Sequence, residues 1–313
     1  MSTRVSLRSF VDKNRAVLLI TAAVITSAPV LASPYSDINV AAAASPITVQ
    51  SLRGNVSMLQ GSGGNIGVLA GPDGLFMVDA GIAVSQKKIV DALHAIDPGK
   101  LRYVVNTHWH WDHTDGNGWV RRMGATIIAD KNAVHRLTQT TRVVEWEHTF
   151  TPIPKADLPN QILSADKTMR LNGETITIRH YRPSHTDGDM SVYFDKADVL
   201  ATGDTFWNGM FPFIDYAAAG SIDGAIAAAN DNIKLAKNQT IVIPGHGPVG
   251  NRVQLIEFRD MLVAIRAKVA ALKTGGKTVD QVIAAKPTAV YDAKWGTSVI
   301  DGALFTGLVY RGV

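Results

Sequence analysis

The segment HWHWDH at residues 108–113 is the feature that most constrains this chain. It places four side chains of the metal-binding type, His108, His110, Asp112 and His113, within six residues. Histidine is the commonest protein metal ligand, and packing alone seldom crowds imidazoles together. A single histidine is usually a satisfied core or surface residue, so it is the density of the four that indicates a metal site.

Three further ligand-type side chains come shortly after apolar strand patterns. His185 follows the alternating segment TITIRHYR, Asp204 follows VLATG, and His246 follows TIVIPG. Loops at strand ends on a rigid scaffold commonly carry binding sites. Seven ligands are too many for one tetrahedral zinc ion, whereas two metals that share a carboxylate and a water would use all of them.

The order of residues within the cluster predicts how it divides between two metals. In an extended segment residues i and i+2 point the same way, so His108 and His110 can reach one metal together. Asp112 and His113 lie further along and suit a second metal. The chain contains no Cys, so any metal must be held by His, Asp or Glu.

This joint pattern resembles the metallo-β-lactamase superfamily. The resemblance rests on HxHxDH at 108–113, HTDGD at 185–189, GD at 203–204 and PGHG at 244–247. It implies an α/β fold, a four-layer αββα sandwich with the site at one edge, and two Zn²⁺ ions per chain, with iron or manganese as alternatives. The implied ligands are His108, His110 and His185 for the first ion, Asp112, His113 and His246 for the second, and Asp204 between both.

The resemblance implies a hydrolase of a small-molecule acyl substrate. Two zinc ions lower the pKa of a shared water to about neutrality, and the resulting hydroxide would attack the carbonyl of an ester, lactone, thioester or β-lactam amide. Asp112 is the expected catalytic side chain, which orients the hydroxide or passes a proton to the leaving group. Asp79, after the strand LFMV, is similar to a buried Asp of the family that supports a metal-binding imidazole; the alternative is a turn residue before Gly81.

The residues leave the substrate class open. The absence of Cys excludes the β-lactamase group that has Cys at the position of Asp204, and His108 excludes the group that begins the motif with Asn. The third group typically has Ser where this chain has Asp204, which instead resembles the glyoxalase II and lactonase branches. A second interpretation is an iron-dependent sulfur-oxidising enzyme of the same fold, of the persulfide dioxygenase type, but seven intact ligands favour two metals.

Residues 1–32 have the composition of a secretory signal peptide. Four basic residues within the first 15 precede an apolar run that ends on small residues, with cleavage expected after Ala32 or as late as Ala44. A membrane anchor is the alternative, but Pro29 interrupts a run that is barely long enough to span. Removal of these residues lowers the formal net charge from +4 to about +1. We therefore expect a periplasmic or secreted protein that binds neither nucleic acid nor, after cleavage, a membrane.

The rest of the chain divides by composition and periodicity. Residues 33–46 read as a linker, 47–250 as the catalytic domain of interleaved strands and helices, and 251–313 as a C-terminal helical extension packed on that domain. The Gly-rich segment GSGGNIG at 61–67 predicts a hairpin tip, with a flexible flap over the site as the alternative. Residues 139–160, which contain three prolines, predict a long surface loop.

An aromatic run after Asp204 predicts an apolar pocket wall beside the metals. Core packing is the alternative interpretation of the same side chains. The run comprises Phe206, Trp207, Met210, Phe211 and Phe213. The remaining histidines lie in polar or alternating surroundings and are not expected to be ligands; they are His94, His135, His148 and His180.

Overall fold

The computed structural model describes residues 33–313, so the expected signal peptide at residues 1–32 lies outside the described residues. Within that range the chain forms two large β-sheets and one short hairpin. The strands, in chain order, are β1 (Thr48–Ser51), β2 (Val56–Gln60), β3 (Ile66–Leu69), β4 (Leu75–Val78), β5 (Leu101–Val105), β6 (Thr126–Asp130), β7 (Thr141–Val143), β8 (His148–Phe150), β9 (Gln161–Leu163), β10 (Lys167–Leu171), β11 (Glu174–His180), β12 (Met190–Phe194), β13 (Val199–Ala201), β14 (Ile241–Ile243) and β15 (Gly250–Asn251).

Both sheets mix antiparallel and parallel pairing. The first has the strand order β1-β2-β3-β4-β5-β6-β9, in which β1 to β4 are antiparallel neighbours and the pairs from β4 to β9 are parallel. The second has the order β10-β11-β12-β13-β14-β15, with one parallel pair, β13 and β14. The strands β7 and β8 form the separate hairpin.

Helices follow most of the parallel strands and cover the sheets. None of the helices in the described range is both long and apolar enough to cross a membrane. They are α1 (Pro34–Ala44), α2 (Gln86–Ile96), α3 (Trp111–Thr114), α4 (Asn117–Arg122), α5 (Lys131–Leu137), α6 (Ile222–Leu235), α7 (Arg252–Thr274), α8 (Val279–Ala284), α9 (Ala289–Trp295) and α10 (Gly302–Arg311).

Strand β4 shows why the chain forms layers. Successive side chains of a strand point to opposite faces, and all four side chains of β4 are buried. Phe76 packs in the core between the two sheets with Phe194, whereas Met77 packs on the outer side with Ile89 of α2. A strand covered on both faces reads as a continuous apolar run. The expected αββα sandwich is confirmed.

The C-terminal residues form a helical layer outside the second sheet. Phe258 of α7 and Phe305 of α10 share a core cluster with Val242 of β14. Asn251 begins α7 with a reciprocal capping box, and Thr278 with Gln281 forms the capping box expected for α8. Residues 33–313 therefore belong to one compact unit that includes these helices.

Residues 33–46 are not the linker that their composition predicted. They contain the eleven-residue helix α1, which begins with Ser33 as N-cap and Pro34 in its first turn. The Nζ atom of Lys88 lies 2.6 Å from the carbonyl oxygen of Ala42 and 2.5 Å from that of Ser45. A cation at the C-terminal carbonyls stabilises a helix. Because this contact comes from a residue distant in the chain, the composition of residues 33–46 alone could not predict it.

The expected surface loop at residues 139–160 is also partly structured. It contains the hairpin of β7 and β8, and the buried Trp146 lies at its turn. The side chain of Trp146 packs 4.9 Å from the ring of Phe213. The prolines 152, 154 and 159 lie after the hairpin, where the chain is irregular apart from a short 3₁₀ turn.

Candidate metal centre

Ligand-type side chains from four separate loops meet at the ends of the strands. The HWHWDH segment follows β5, while the other three residues follow β11, β13 and β14. The structure gathers all seven into two groups, within each of which the ligand atoms lie no more than 4.8 Å apart. The first group is His108, His110, His185 and Asp204, and the second is Asp112, His113 and His246.

A change of backbone conformation divides the HWHWDH segment between the two groups. His110 is extended, with φ −61° and ψ 148°, and it is the N-cap of α3. The next residues turn into the helix, which carries Asp112 and His113 in a different direction. The Oγ1 atom of Thr114 donates to the carbonyl oxygen of His110 at 3.0 Å and closes this turn.

The Asp204 carboxylate lies between the two groups. Its Oδ2 atom is 3.3 Å from Nε2 of His185, in the first group, and 3.3 Å from Nε2 of His246, in the second. Its Oδ1 atom is 3.1 Å from Nε2 of His113, also in the second group. A carboxylate with each oxygen turned toward imidazoles in this way has the geometry of a bridging ligand.

Burial and neighbouring charges set the protonation of the site. Burial lowers the pKa of both His108 and His185, so both rings are neutral at pH 7. The charge of His113 adds to burial at His108, whereas at His185 burial outweighs the opposing charge of Asp204. Burial raises the pKa of Asp204, but the nearby imidazoles of His246 and His113 outweigh burial and hold that pKa well below its ordinary value. Neutral imidazoles and ionised carboxylates are the states that bind metals.

Hydrogen bonds on the outer side of each ring fix which nitrogen faces the centre. Asp79 Oδ2 accepts from Nδ1 of His113 at 2.8 Å and from Oγ1 of Thr107 at 2.9 Å, and that hydroxyl accepts from Nδ1 of His108 at 3.0 Å. The carbonyl oxygen of Phe213 accepts from Nδ1 of His185 at 2.8 Å. We assign these tautomers from the acceptors, and they turn the three Nε2 atoms inward.

Asp79 therefore supports rings of both groups, as its position after LFMV led us to expect. The alternative interpretation, a turn residue, also describes part of its geometry, because Asp79 has a φ of +68°. The left-handed conformation is uncommon for a residue other than glycine. Here the turn aims a buried carboxylate at His113 and, through Thr107, at His108.

Asp215 is a functional side chain that the sequence analysis missed. Its Oδ2 atom lies 2.9 Å from Nε2 of His110, so His110 turns Nδ1 toward the first group. Its Oδ1 atom accepts from the backbone N–H of Ala217 at 2.9 Å, which fixes the carboxylate. The signal in the sequence was an acidic residue directly after the aromatic run, but nothing local relates it to His110.

The donor set fits divalent metal ions. Nε2 of His185 and Nδ1 of His110 lie 2.9 Å apart, although the other nitrogen of each ring donates elsewhere. Both facing atoms carry lone pairs, and a cation between them relieves their repulsion. Among the described residues, Nε2 of His108 and Oδ1 of Asp204 are also buried without a hydrogen-bond partner, whereas buried polar atoms normally have one.

Two glycines let the backbone approach the site more closely than a side chain would allow. A Cβ atom on Gly64 would lie 2.3 Å from Cε1 of His113, and one on Gly245 would lie 2.0 Å from Oδ1 of Asp204. Gly64 belongs to the Gly-rich segment 61–67, which connects β2 and β3 as the predicted hairpin tip. The same segment also lines the cavity at the site, while the alternative of a flexible flap stays a prediction.

A cavity of about 290 Å³ opens onto both groups. Trp207, Met210 and Phe213 line it, as predicted for the aromatic run. Phe206 and Phe211 are instead fully buried, Phe206 against Phe258 and Phe211 stacked on Phe305. The pocket interpretation thus holds for part of the run and the core interpretation for the rest.

The other histidines are not members of either group. His148 stacks on Tyr35 with ring centroids 3.6 Å apart. His180 lies 3.3 Å from carboxylate oxygens of both Asp130 and Asp166. His94 lies in the last turn of α2, and His135 lies in the last turn of α5.

One curated protein is similar to this chain in sequence, and two solved structures are similar to it in fold. A hydroxyacylglutathione hydrolase from Rhodospirillum rubrum is 24% identical over 182 residues, which are 56% of this chain and 62% of that protein. This chain thus covers less than two thirds of that relative's length. The sec-alkylsulfatase Pisa1 from Pseudomonas sp. aligns over 85% of this chain and 50% of its own with a TM-score of 0.65 and 17% identity. The DIM-1 metallo-beta-lactamase aligns over 70% of this chain and 97% of its own with a TM-score of 0.56 and 20% identity.

The two structural likenesses concern the fold, because the identities are low. A sequence-family model described as the metallo-beta-lactamase superfamily matches residues 59–246, which are more than half of the chain. That range contains every ligand-bearing loop, from His108 to His246. The chain therefore belongs to the metallo-β-lactamase superfamily.

Proposed function

We propose that this chain is a hydrolase that binds two divalent metal ions, in the first instance zinc, and cleaves an acyl bond of a small molecule. The single observation that carries the proposal is the position of Asp204. Its two oxygens lie within 3.3 Å of imidazole nitrogens from both groups. A carboxylate shared in this way is typical of sites in which two metals act on one substrate.

The seven side chains divide naturally between two ions. His108, His110 and His185 would hold one, Asp112, His113 and His246 would hold the other, and Asp204 would contact both. Bound divalent metals of this kind supply a water of lowered pKa and a Lewis acid for a carbonyl oxygen. The outer carboxylates of Asp79 and Asp215 keep the rings in the required tautomers.

Asp112 is the side chain best placed to handle a proton. It lines the cavity and its Oδ2 atom lies 3.3 Å from Nε2 of His246 and 3.5 Å from Nε2 of His113. Such a carboxylate can accept a hydrogen bond from the attacking water and so orient it. It can then pass the proton to the leaving group of the substrate.

The proposal covers esters, lactones, thioesters and β-lactams. The similarity to a hydroxyacylglutathione hydrolase supports the thioester branch, whereas the DIM-1 structure is similar in fold alone. The iron-dependent sulfur-oxidising alternative requires one iron per chain. Seven candidate ligands in two groups favour the binuclear assignment.

Hydrolysis of a panel of acyl compounds by the zinc-loaded chain tests this function. The panel contains a chromogenic cephalosporin, a nitrophenyl ester, a lactone and a thioester, and His110→Ala is the blank. We expect turnover of at least one class, lost in the variant. Failure of every class, together with one bound iron per chain, would replace the proposal by the sulfur-oxidising alternative.

We also propose that the protein is exported to the periplasm or beyond. The support is the composition of residues 1–32, in which a basic start precedes an apolar run and small residues. N-terminal sequencing of the protein from the exported fraction tests this. A start between residues 33 and 45 supports export, whereas an intact Met1 in the cytoplasm contradicts it.

A further inference from the structure

Two segments outside the family-matched range complete the wall of the cavity at the metal centre. Ile38 of α1 lines it from one side, and Ser298 and Val299, between α9 and α10, line it from another. The family match covers only residues 59–246. The segments that close this cavity therefore come from parts of the chain that the family pattern does not describe.

Helix α1 is held firmly in this position. The hydroxyl of Ser62 donates to the carbonyl oxygen of Ile38 at 3.4 Å, which joins α1 to the Gly-rich hairpin tip. The ring centroids of Tyr35 and Trp111 lie 5.1 Å apart. Ala42 is buried, and its carbonyl oxygen accepts a hydrogen bond from the hydroxyl of Ser85 at 3.0 Å. Ile38 is thus a fixed part of the wall.

The segment that carries Val299 is anchored as well. The backbone N–H of Phe211 donates to the carbonyl oxygen of Trp295 at 2.7 Å, and Trp295 and Ile300 are both buried. These contacts join the segment to the aromatic run that follows Asp204. Val299 itself is 52% exposed, so it forms the rim of the cavity rather than its floor.

The lining of the cavity carries no Lys or Arg among the described residues. Its ionisable groups are the candidate metal ligands His110, Asp112, His185, Asp204 and His246. The other polar side chains are neutral, namely Gln60, Ser62, Asn65 and Ser298. The apolar lining consists of Ile38, Trp111, Trp146, Trp207, Met210, Phe213 and Val299.

This composition selects for substrate charge and size. A carboxylate at the end of the acyl arm, away from the candidate metal ligands, would lose hydration without gaining a Lys or Arg partner, which is costly. An apolar arm would instead bury its surface against three indole rings and the aliphatic side chains. A volume of about 290 Å³ lies just below the roughly 300–1,000 Å³ found for small-molecule pockets, so the arm must be compact.

We propose that the substrate is an uncharged ester or lactone with a compact apolar acyl arm, and that Ile38 and Val299 set the length of that arm. This inference rests on the proposed hydrolase function of the same site and on a mature chain that begins at Ser33 and so keeps α1. Ile38 and Val299 would determine substrate specificity. They would not affect metal binding, because neither is a hydrogen-bond partner of a candidate metal ligand. Bulk at either position shortens the cavity, and its removal lengthens it.

A series of nitrophenyl esters from acetate to octanoate tests the role of Ile38. We expect Ile38→Trp to lower the ratio of kcat/KM for hexanoate over acetate by about tenfold or more, and Ile38→Ala to shift the optimum to longer chains, since one methylene in a pocket is worth about tenfold or more. Val40→Trp and Val40→Ala are the controls, because Val40 is on the same helix but is 70% exposed and does not line the cavity. Unchanged chain-length profiles in both Ile38 variants would overturn the inference.

Two substrates that differ in charge test the absence of Lys and Arg from the cavity lining. We expect nitrophenyl hexanoate to be cleaved with a kcat/KM at least tenfold above that of the nitrophenyl monoester of adipic acid, which ends in a carboxylate. Val299→Lys should raise kcat/KM for the carboxylated ester, and Val290→Lys, on exposed α9, is the matched control. Equal cleavage of both esters by the wild-type chain would overturn the proposal.

A binding measurement separates this inference from the proposed function. Hexanol, titrated into the zinc-loaded chain, should displace water from the indoles that line the cavity and shift their emission to shorter wavelength, and Ile38→Phe should weaken that binding. This emission shift without hydrolysis of any member of the acyl panel would refute the hydrolase function while supporting the pocket assignment. Hydrolysis without a response to hexanol or to chain length would refute the pocket assignment alone.

Discussion

The Nε2 atom of His110 lies 2.9 Å from the Oδ2 atom of Asp215, although 105 residues separate them in the chain. A carboxylate accepts hydrogen bonds, so this contact places the ring proton on Nε2 and leaves Nδ1 free for a metal. Buried partners of this kind orient metal-binding imidazoles and raise their basicity. The assignment of His110 as a ligand therefore depends on Asp215.

Asp215→Asn is expected to weaken metal binding while preserving the fold. The amide oxygen can still accept from the backbone of Ala217, but the amide NH₂ opposes the Nε2–H of His110 and favours the wrong tautomer. We expect zinc affinity to fall by about 10- to 100-fold, measured by competition with a chromophoric chelator. Asp223→Asn, which alters an exposed carboxylate paired with Arg266, is the control. Equal affinities of Asp215→Asn and wild type would contradict the role.

Gly64→Ala is expected to disturb the second group of ligands. Its Cβ atom would lie 2.3 Å from the ring of His113, so the ring or the hairpin tip must move. We predict fewer than two metals per chain by elemental analysis. Gly307→Ala is the control, because a Cβ atom there meets nothing within 4 Å. Two tightly bound metals in Gly64→Ala would show that the close approach is unimportant.

Removal of metal is expected to destabilise the folded chain. Imidazole lone pairs and a buried carboxylate face one another in the candidate site and repel. A metal ion that binds only the folded state stabilises that state by mass action. At a free zinc concentration 100 times the Kd, this amounts to about 2.7 kcal/mol in the free energy of unfolding. A chelator should therefore lower the Tm of wild type but scarcely that of His108→Ala. Identical wild-type curves with and without chelator would argue against metal binding.

The ion pairs of His180 predict a pH-dependent contribution to stability. Asp130, and then Asp166, raise the pKa of His180 in the folded chain against the opposing effect of burial. A raised folded pKa gives stability that is complete below the unfolded value of about 6.5 and is lost as the pH rises through the folded pKa. His180→Gln should therefore destabilise the chain more at about pH 5 than at about pH 9, as measured by urea denaturation. A difference that grows with pH would contradict this assignment.

The metal centre was largely predictable because its residues are dense or follow strands. The HWHWDH segment concentrates four of them, and the other three each follow an apolar strand pattern. The resemblance to a family then implied how the seven divide between two metals. Asp79 could be proposed from its place after LFMV. The αββα layers could also be predicted, since strands such as β4 are apolar at every position.

The surroundings of the centre were harder to predict because they depend on contacts between distant residues. Helix α1 has an Ala-rich sequence that resembled a linker, and its position depends on Lys88 and Ser85. Trp146 lies in a stretch whose prolines predicted a loop, yet it lines the cavity. Asp215 could not be related to His110 without the fold that brings them together.

The metal content of the purified chain tests the central claim most directly. Elemental analysis of the zinc-loaded protein should give two zinc ions per chain, and the Asp204→Ala variant should retain fewer, because the carboxylate lies between the groups. One iron per chain in the wild type, or two zinc ions retained fully by Asp204→Ala, would contradict a binuclear site bridged by Asp204.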